Sequence, residues 1–259
     1  FKNFRKCEAA AMAELRGEWG RKDSLALRVG SYVDAYFSGE LEQYKADHPE
    51  MFKKDGTLKA DFVHAHKVAE RLESDELARM LLSGRHQVIK TVRIGGVWFK
   101  TKSDSLLTAA QVEAICKRFP QVRELVPFGG AMIVDLKYVK DFDDIWDEDA
   151  GEKVTFIEFW GYDIQGAIYQ AADKRSVPFV IVGATKQDEP DLDALFIPDD
   201  DLSYSLSEVE ALAPRYDAIK RGEIEPEGCG KCAYCRSIKK LTGIRHYKKN
   251  NELTPVGSW

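Results

Sequence analysis

The chain has 259 residues, 44% hydrophobic and 31% charged, with a formal net charge of -5 and a pI near 5.7. That length and apolar content suffice for a substantial core, in one large domain or a domain with additions. Mean hydropathy is -0.38, no apolar run approaches the roughly 20 residues that span a bilayer, and five cysteines, an odd number, argue against a complete disulfide framework.

The opening segment, FKNFRKCEAAAMAEL, lacks the apolar h-region of a signal peptide. The absence of a starting Met leads us to expect residues upstream. Glu8 to Glu18 is Ala-rich and helical in composition. Asp23 or Ser24 is placed to cap a second helix carrying Leu25, Leu27, Val29, Val33 and Phe37, which stops at Ser38-Gly39. Asp47 to Thr57 is polar, contains Pro49 and Gly56, and reads as a loop. Lys59 to Leu82 reads as two helices broken near Glu73-Ser74-Asp75. The character changes at Gly84. Gln87 to Ile94 and Val97 to Lys102 are strand-like runs around Gly95-Gly96, a hairpin signal, with Ser103 to Leu107 continuing the second strand. Ala109 to Phe119 predicts a short helix, with Cys116 buried on it. Ala131 to Leu136 and Pro178 to Ala184 are short apolar runs typical of buried strands. Asp141 to Lys153 reads as an acidic loop, Phe156 to Asp173 as one helix, Leu192 to Ile197 as a further strand and Leu202 to Arg221 as a helix. This order predicts a mixed α/β domain with an N-terminal helical region. Residues 1–83 form that region, 84–200 the core, and 201–259 a C-terminal helix and cysteine-bearing tail, in one integrated domain.

Two segments carry chemistry: GGVWFKTKSDSLL, with Asp104, and GGAMIVDLKYV, with Asp135 and Lys137. Residues i and i+2 of a strand share a face, so Asp135 and Lys137 point the same way while Leu136 points into a core. Burying an acid and a lysine costs several kcal/mol unless they are paired or bind a metal. Alone, D-x-K is an ordinary surface ion pair at a strand end. Asp104 on an upstream strand, behind a Gly-rich hairpin, adds a second carboxylate. Two carboxylates and a cation are what phosphodiester hydrolysis needs: hard oxygen ligands for Mg²⁺ or Mn²⁺, and a positive group beside the attacking water. The acidic net charge is a weak objection to a polyanionic substrate, because it averages an acidic centre over a basic groove.

These segments resemble the PD-(D/E)xK nuclease superfamily, and most closely the RecB-like and RecE-like exonucleases of phages and prophages. The family pattern is a strand-borne Asp, then a strand with D-x-K, then a helix with Q-x-x-x-Y. Here the helix segment is YDIQGAIYQ, with Gln165 and Tyr169 four apart on one face and Tyr162 on the same side. The resemblance implies a mixed central sheet flanked by helices. It implies Asp104, Asp135 and the Leu136 carbonyl as holders of Mg²⁺ or Mn²⁺, Lys137 at the water or the phosphoryl charge, and Gln165 and Tyr169 positioning the substrate. Many RecB-like members carry a metal-binding His on an N-terminal helix. The corresponding segment, LRVGSYVDAYFSG, offers Asp34, also a hard oxygen ligand. His64 and His66 fall on a later charged helix and are expected at the surface.

Cys229, Cys232 and Cys235 form C-x-x-C-x-x-C in EGCGKCAYCRSIKK. A structural Zn²⁺ or an iron–sulfur cluster needs four ligands, and Cys7 is the natural fourth. Some RecB-like nucleases clamp an iron–sulfur cluster with one Cys before the core and three after it. The spacing of the last Cys here departs from that pattern. Such cysteine usage suits a reducing cytoplasm. Beyond it, Arg236, Lys239, Lys240, Arg245, Lys248 and Lys249, with Tyr247, are candidates for phosphate contacts or a solvated tail.

The expectation is therefore a Mg²⁺-dependent deoxyribonuclease, an exonuclease on double-stranded DNA. The resemblance implies a bacterial or phage-encoded recombination setting, a single-strand annealing protein as partner, and a homo-oligomer. The rivals are an endonuclease or resolvase of the same fold and a non-catalytic DNA-binding protein organised by the cysteines. A zinc-ribbon module leaves most of the chain unexplained.

Overall fold

A computed structural model of the chain describes residues 1–20, 25–125, 130–173 and 177–244. The cap expected at Asp23 or Ser24, the basic positions Arg245, Lys248 and Lys249, and Tyr247 lie outside the described residues. The chain divides into two compact units, residues 22–214 and residues 1–21 with 215–259.

The larger unit is built on a five-stranded mixed sheet in the order β1-β2-β3-β6-β7. Strands β1 (Arg85–Ile94) and β2 (Val97–Leu107) form the antiparallel hairpin expected around Gly95-Gly96. β3 (Met132–Val139) pairs antiparallel with β2 and parallel with β6 (Phe179–Thr185), and β7 (Leu192–Ile197) closes the far edge antiparallel to β6. Apart from Asp135, Lys137 and the terminal Thr185, β3 and β6 are mainly apolar because both faces of the sheet are covered. On one face Met132, Val134, Leu136, Val180, Val182 and Ala184 pack with residues of α3 (Leu25–Ser38), α5 (Ala60–Ser74), α6 (Glu76–Leu81) and α7 (Ala109–Arg118). On the other, Ile133, Phe179 and Ile181 pack with Ala167 of α9 (Tyr162–Asp173) and Leu202 of α10 (Asp199–Lys220).

Local chemistry sets the helix ends. Asp75 accepts a hydrogen bond from the Ala78 amide at 2.9 Å and separates α5 from α6, where the break was expected. Thr108 and Gln111 form a capping box at the start of α7. The helix expected over Phe156 to Asp173 is instead two. α8 (Phe156–Trp160) ends at Gly161, whose φ of 63° is left-handed, and α9 begins at Tyr162. The segment read as an acidic loop holds a small hairpin, β4 (Ile145–Asp147) with β5 (Glu152–Val154), whose strands are too short to leave a periodic signal. An unforeseen helix, α4 (Leu41–Asp47), follows α3.

The smaller unit joins α1 (Lys2–Lys6) and α2 (Glu8–Leu15) to the segment containing α11 (Ala233–Ile238). Its two sequence-distant parts are tied by one guanidinium. Arg215 donates to both oxygens of Glu8 at 2.7 and 2.9 Å and to Glu227 at 2.8 Å, while the Ala9 amide donates to the Glu227 carbonyl at 3.0 Å. The fork geometry of Arg suits this bidentate clamp.

Candidate active site

The site begins where two strands part. β2 and β3 pair over Ser105–Val134, Leu106–Ile133 and Leu107–Met132. Continued by one residue, that register sets Asp104 opposite Asp135, and cross-strand partners share a face. The ladder stops there. The Leu136 amide donates to Asp104 Oδ2 at 2.9 Å, a side-chain oxygen taking the place of a β2 carbonyl. In a strand the N–H and C=O of one residue lie on the same edge, so the Leu136 carbonyl looks toward the same gap. Its side chain is buried in the core behind.

Asp135 is 1% exposed. Gln165 of α9 donates to its Oδ1 at 2.7 Å. Its Oδ2 faces the Lys137 ammonium as a close ion pair. Lys137 in turn lies 4.8 Å from the centre of the Tyr162 ring, a cation–π contact. Tyr169, one turn beyond Gln165, donates from its hydroxyl to the Lys102 carbonyl on β2 at 3.0 Å. Thus α9 is pinned to both splayed strands by the two polar residues of its Q-x-x-x-Y face.

Burial and mutual repulsion dominate the electrostatics. Burial, then the charges of Asp135 and Asp34, push the Asp104 carboxyl up to about 8, against the opposing pull of Lys137 and the Leu136 amide. Burial also lifts Asp34 to about 6, with Lys137 opposing and Asp135 assisting. Burial opposes the charge on Lys137, yet Asp135 and Asp104 outweigh it and hold the ammonium protonated, above the ordinary lysine range. Tyr162 and Tyr169 are raised, first by burial and then by the carboxylates. Three acids that cannot all ionise comfortably around one lysine form a cluster short of positive charge. A hard divalent cation fits that deficit, because the donors gathered there are carboxylate and carbonyl oxygens.

The structure therefore brings Asp104, Asp135, Leu136, Lys137, Gln165 and Tyr169 together, and Asp34 of α3 lies within their electrostatic reach. Two histidines expected at the surface are instead half-buried and hydrogen-bonded. His64 Nε2 bonds with the Lys186 carbonyl at 3.1 Å, and His66 Nδ1 with the Tyr32 hydroxyl at 3.2 Å. One residue escaped the sequence reading. Gln87 lies opposite Asp104 by the β1–β2 register, has φ of 53°, and keeps a buried Oε1 without a hydrogen-bond partner. Left-handed backbone at a non-glycine residue gathers at functional sites, but no side-chain pattern announces it. Beside it His86 Nδ1 bonds with the Asp104 carbonyl at 2.9 Å.

In the smaller unit Cys7, Cys229, Cys232 and Cys235 converge, their sulfurs all within 4.8 Å of one another. Among the described residues no other group of three or more His, Cys, Asp or Glu is gathered so closely; the carboxylates are a looser set. Cys116 is buried on α7, as expected.

The chain matches the family model of a PDDEXK-like domain of unknown function (DUF3799) over residues 1–115 and 128–238. It is similar to the crystal structure of a candidate exonuclease from Eubacterium rectale. The two are 39% identical over 93% of this chain and 84% of that one, with a TM-score of 0.76. No curated protein matches the chain at a significant level.

Proposed function

The chain belongs to the PDDEXK-like family, and from that premise we propose that it is a Mg²⁺- or Mn²⁺-dependent deoxyribonuclease that digests double-stranded DNA from its ends. The observation that carries the reading is the cross-strand meeting of Asp104 and Asp135 at the splay of β2 and β3, with Lys137 paired to Asp135 and Gln165 bonded behind it.

Asp104 and Asp135, with the Leu136 carbonyl and Asp34 beside them, are the holders of the divalent cation. That cation, when bound, polarises a phosphoryl oxygen and acidifies water. Gln165 fixes the rotamer of Asp135 by its hydrogen bond to Oδ1, with Oδ2 left to the Lys137 ammonium. Lys137 keeps its proton and offers a fixed positive charge toward the phosphoryl group, where negative charge builds as the bond breaks. Tyr162 steadies that ammonium through its ring face. Tyr169 ties α9 to β2 through the Lys102 carbonyl. The four cysteines hold a second metal centre, zinc or iron–sulfur, as a structural tie.

The exonuclease likeness of the Eubacterium rectale structure favours digestion from ends over internal cutting. The test is a pair of duplexes of the same sequence, one linear and one covalently closed, each incubated with protein and Mg²⁺. Mononucleotide release from the linear duplex alone is expected. Nicks or internal cuts in the closed circle transfer the site to an endonuclease of the same fold. A recombination role predicts further that the protein binds a single-strand annealing protein encoded beside it, measurable by co-purification.

A further inference from the structure

The cysteine cluster carries more than its composition. The C-x-x-C-x-x-C run with a distant fourth cysteine serves either a single thiolate-bound ion or an iron–sulfur cubane, so spacing along the chain does not choose between them. Distance in space does. A tetrahedral Zn²⁺ with bonds of about 2.3 Å sets its four sulfurs about 3.8 Å apart. A [4Fe–4S] cubane places each cysteine sulfur outside its own corner iron, which spreads the four sulfurs to about 6 Å or more.

Here Cys7 Sγ lies 3.6 Å from Cys235 Sγ, Cys229 Sγ lies 4.0 Å from Cys235 Sγ, and all four fall within 4.8 Å of one another. The sulfurs close around a volume of one ion. Backbone amides hold them there. Ala10 and Cys229 donate to Cys7 Sγ at 3.5 and 3.4 Å, Cys232 to Cys229 Sγ at 3.3 Å, and Cys235 to Cys232 Sγ at 3.4 Å. Three of these four bonds join a cysteine sulfur to the amide of the next ligand, which draws the ligand backbones together around the sulfurs. The wall is tight as well. A Cβ placed on Gly228 would meet Cys235 Sγ at 3.2 Å, and Ala9 Cβ at 3.9 Å.

We propose that Cys7, Cys229, Cys232 and Cys235 form a mononuclear tetrahedral zinc site and not an iron–sulfur cluster site. This deepens the second-centre assignment made above and rests on the cysteines alone, independently of whether the carboxylates cut DNA. The ion joins a cysteine near the start of the chain to three near its described end, which makes it a structural clasp for the smaller unit.

The experiment is metal and acid-labile sulfide counted per chain, on protein purified without oxygen from cells supplied with both iron and zinc. One zinc, no sulfide and a colourless protein are expected. Cys7→Ser and Cys232→Ser are expected to lose the zinc, and Cys116→Ser to keep it. Exchange into Co²⁺ is expected to give the intense visible bands of tetrahedral thiolate cobalt, a readout that survives if the serine variants fail to fold. A brown protein with about four irons and four sulfides per chain overturns the proposal, as does wild-type chain that retains neither metal nor cobalt. Asp135→Asn keeps its zinc whether or not it has lost nuclease activity, so failure of this proposal and failure of the nuclease reading are told apart.

Discussion

At the scale of single residues, the site is a balance of charge. Lys137→Ala removes the cation that is paired with Asp135 among the described residues. We expect kcat to fall about a hundred- to a thousandfold with Mg²⁺ binding retained or tightened, since only charge in the transition state is lost; an unchanged kcat in single-turnover assays refutes the role. Gln165→Leu leaves a buried oxygen of Asp135 without its donor. Apparent Mn²⁺ affinity should drop about 10- to 100-fold in a titration, whereas an unaltered affinity would mean that Gln165 serves substrate alone. The shared face of Asp135 and Lys137 was legible in sequence because spacing by two on a strand fixes it. The bond from Gln165 to Asp135 and that from Tyr169 to the Lys102 carbonyl were not, because they depend on how far α9 stands from the strands. Gln87 was invisible for a different reason: its signal is a backbone angle, not a side chain.

At the scale of elements, register does the work that spacing cannot. Asp104 and Asp135 meet because β2 pairs β3 through Ser105–Val134 and then releases it. The strands themselves were readable from apolar runs and the Gly95-Gly96 turn; their order β1-β2-β3-β6-β7 was not, since non-local pairing leaves no local trace. The break at Gly161 was missed because a single glycine is tolerated inside a helical pattern, and only its left-handed φ of 63° marks an end. A neighbouring glycine has a clear packing role. A Cβ on Gly166 would lie 2.6 Å from Phe179 Cδ1 and 3.0 Å from Leu202 Cδ2, so α9 sits on the sheet only because that position is bare. Gly166→Ala is expected to destabilise by about 1–3 kcal/mol, seen as a lower urea midpoint. It should also lower activity by displacing Gln165. A variant of wild-type stability would show that α9 has slack.

At the scale of the whole molecule, the acids couple stability to pH. Asp104 sits near 8 and Asp34 near 6 in the metal-free fold, both above the ordinary 3.8. A carboxyl raised on folding contributes most when protonated: its share is full below about pH 4 and is lost as pH rises through the folded value. The metal-free protein should therefore melt lower at about pH 8.5 than at about pH 6. Cation binding needs the ionised acids, so the rise in Tm on adding Mg²⁺ should be larger at the higher pH. An increment independent of pH would place the bound ion elsewhere. The family and the mixed sheet were readable from three ordered motifs, because those motifs lie on the elements that build the site. The most direct test of the central claim is nucleotide release from linear duplex DNA by the wild type, by Lys137→Ala and by the wild type in EDTA. Progressive release by the wild type with Mg²⁺ alone is the predicted result. DNA binding with no cleavage under any divalent ion would contradict it and leave a DNA-binding protein on a nuclease fold.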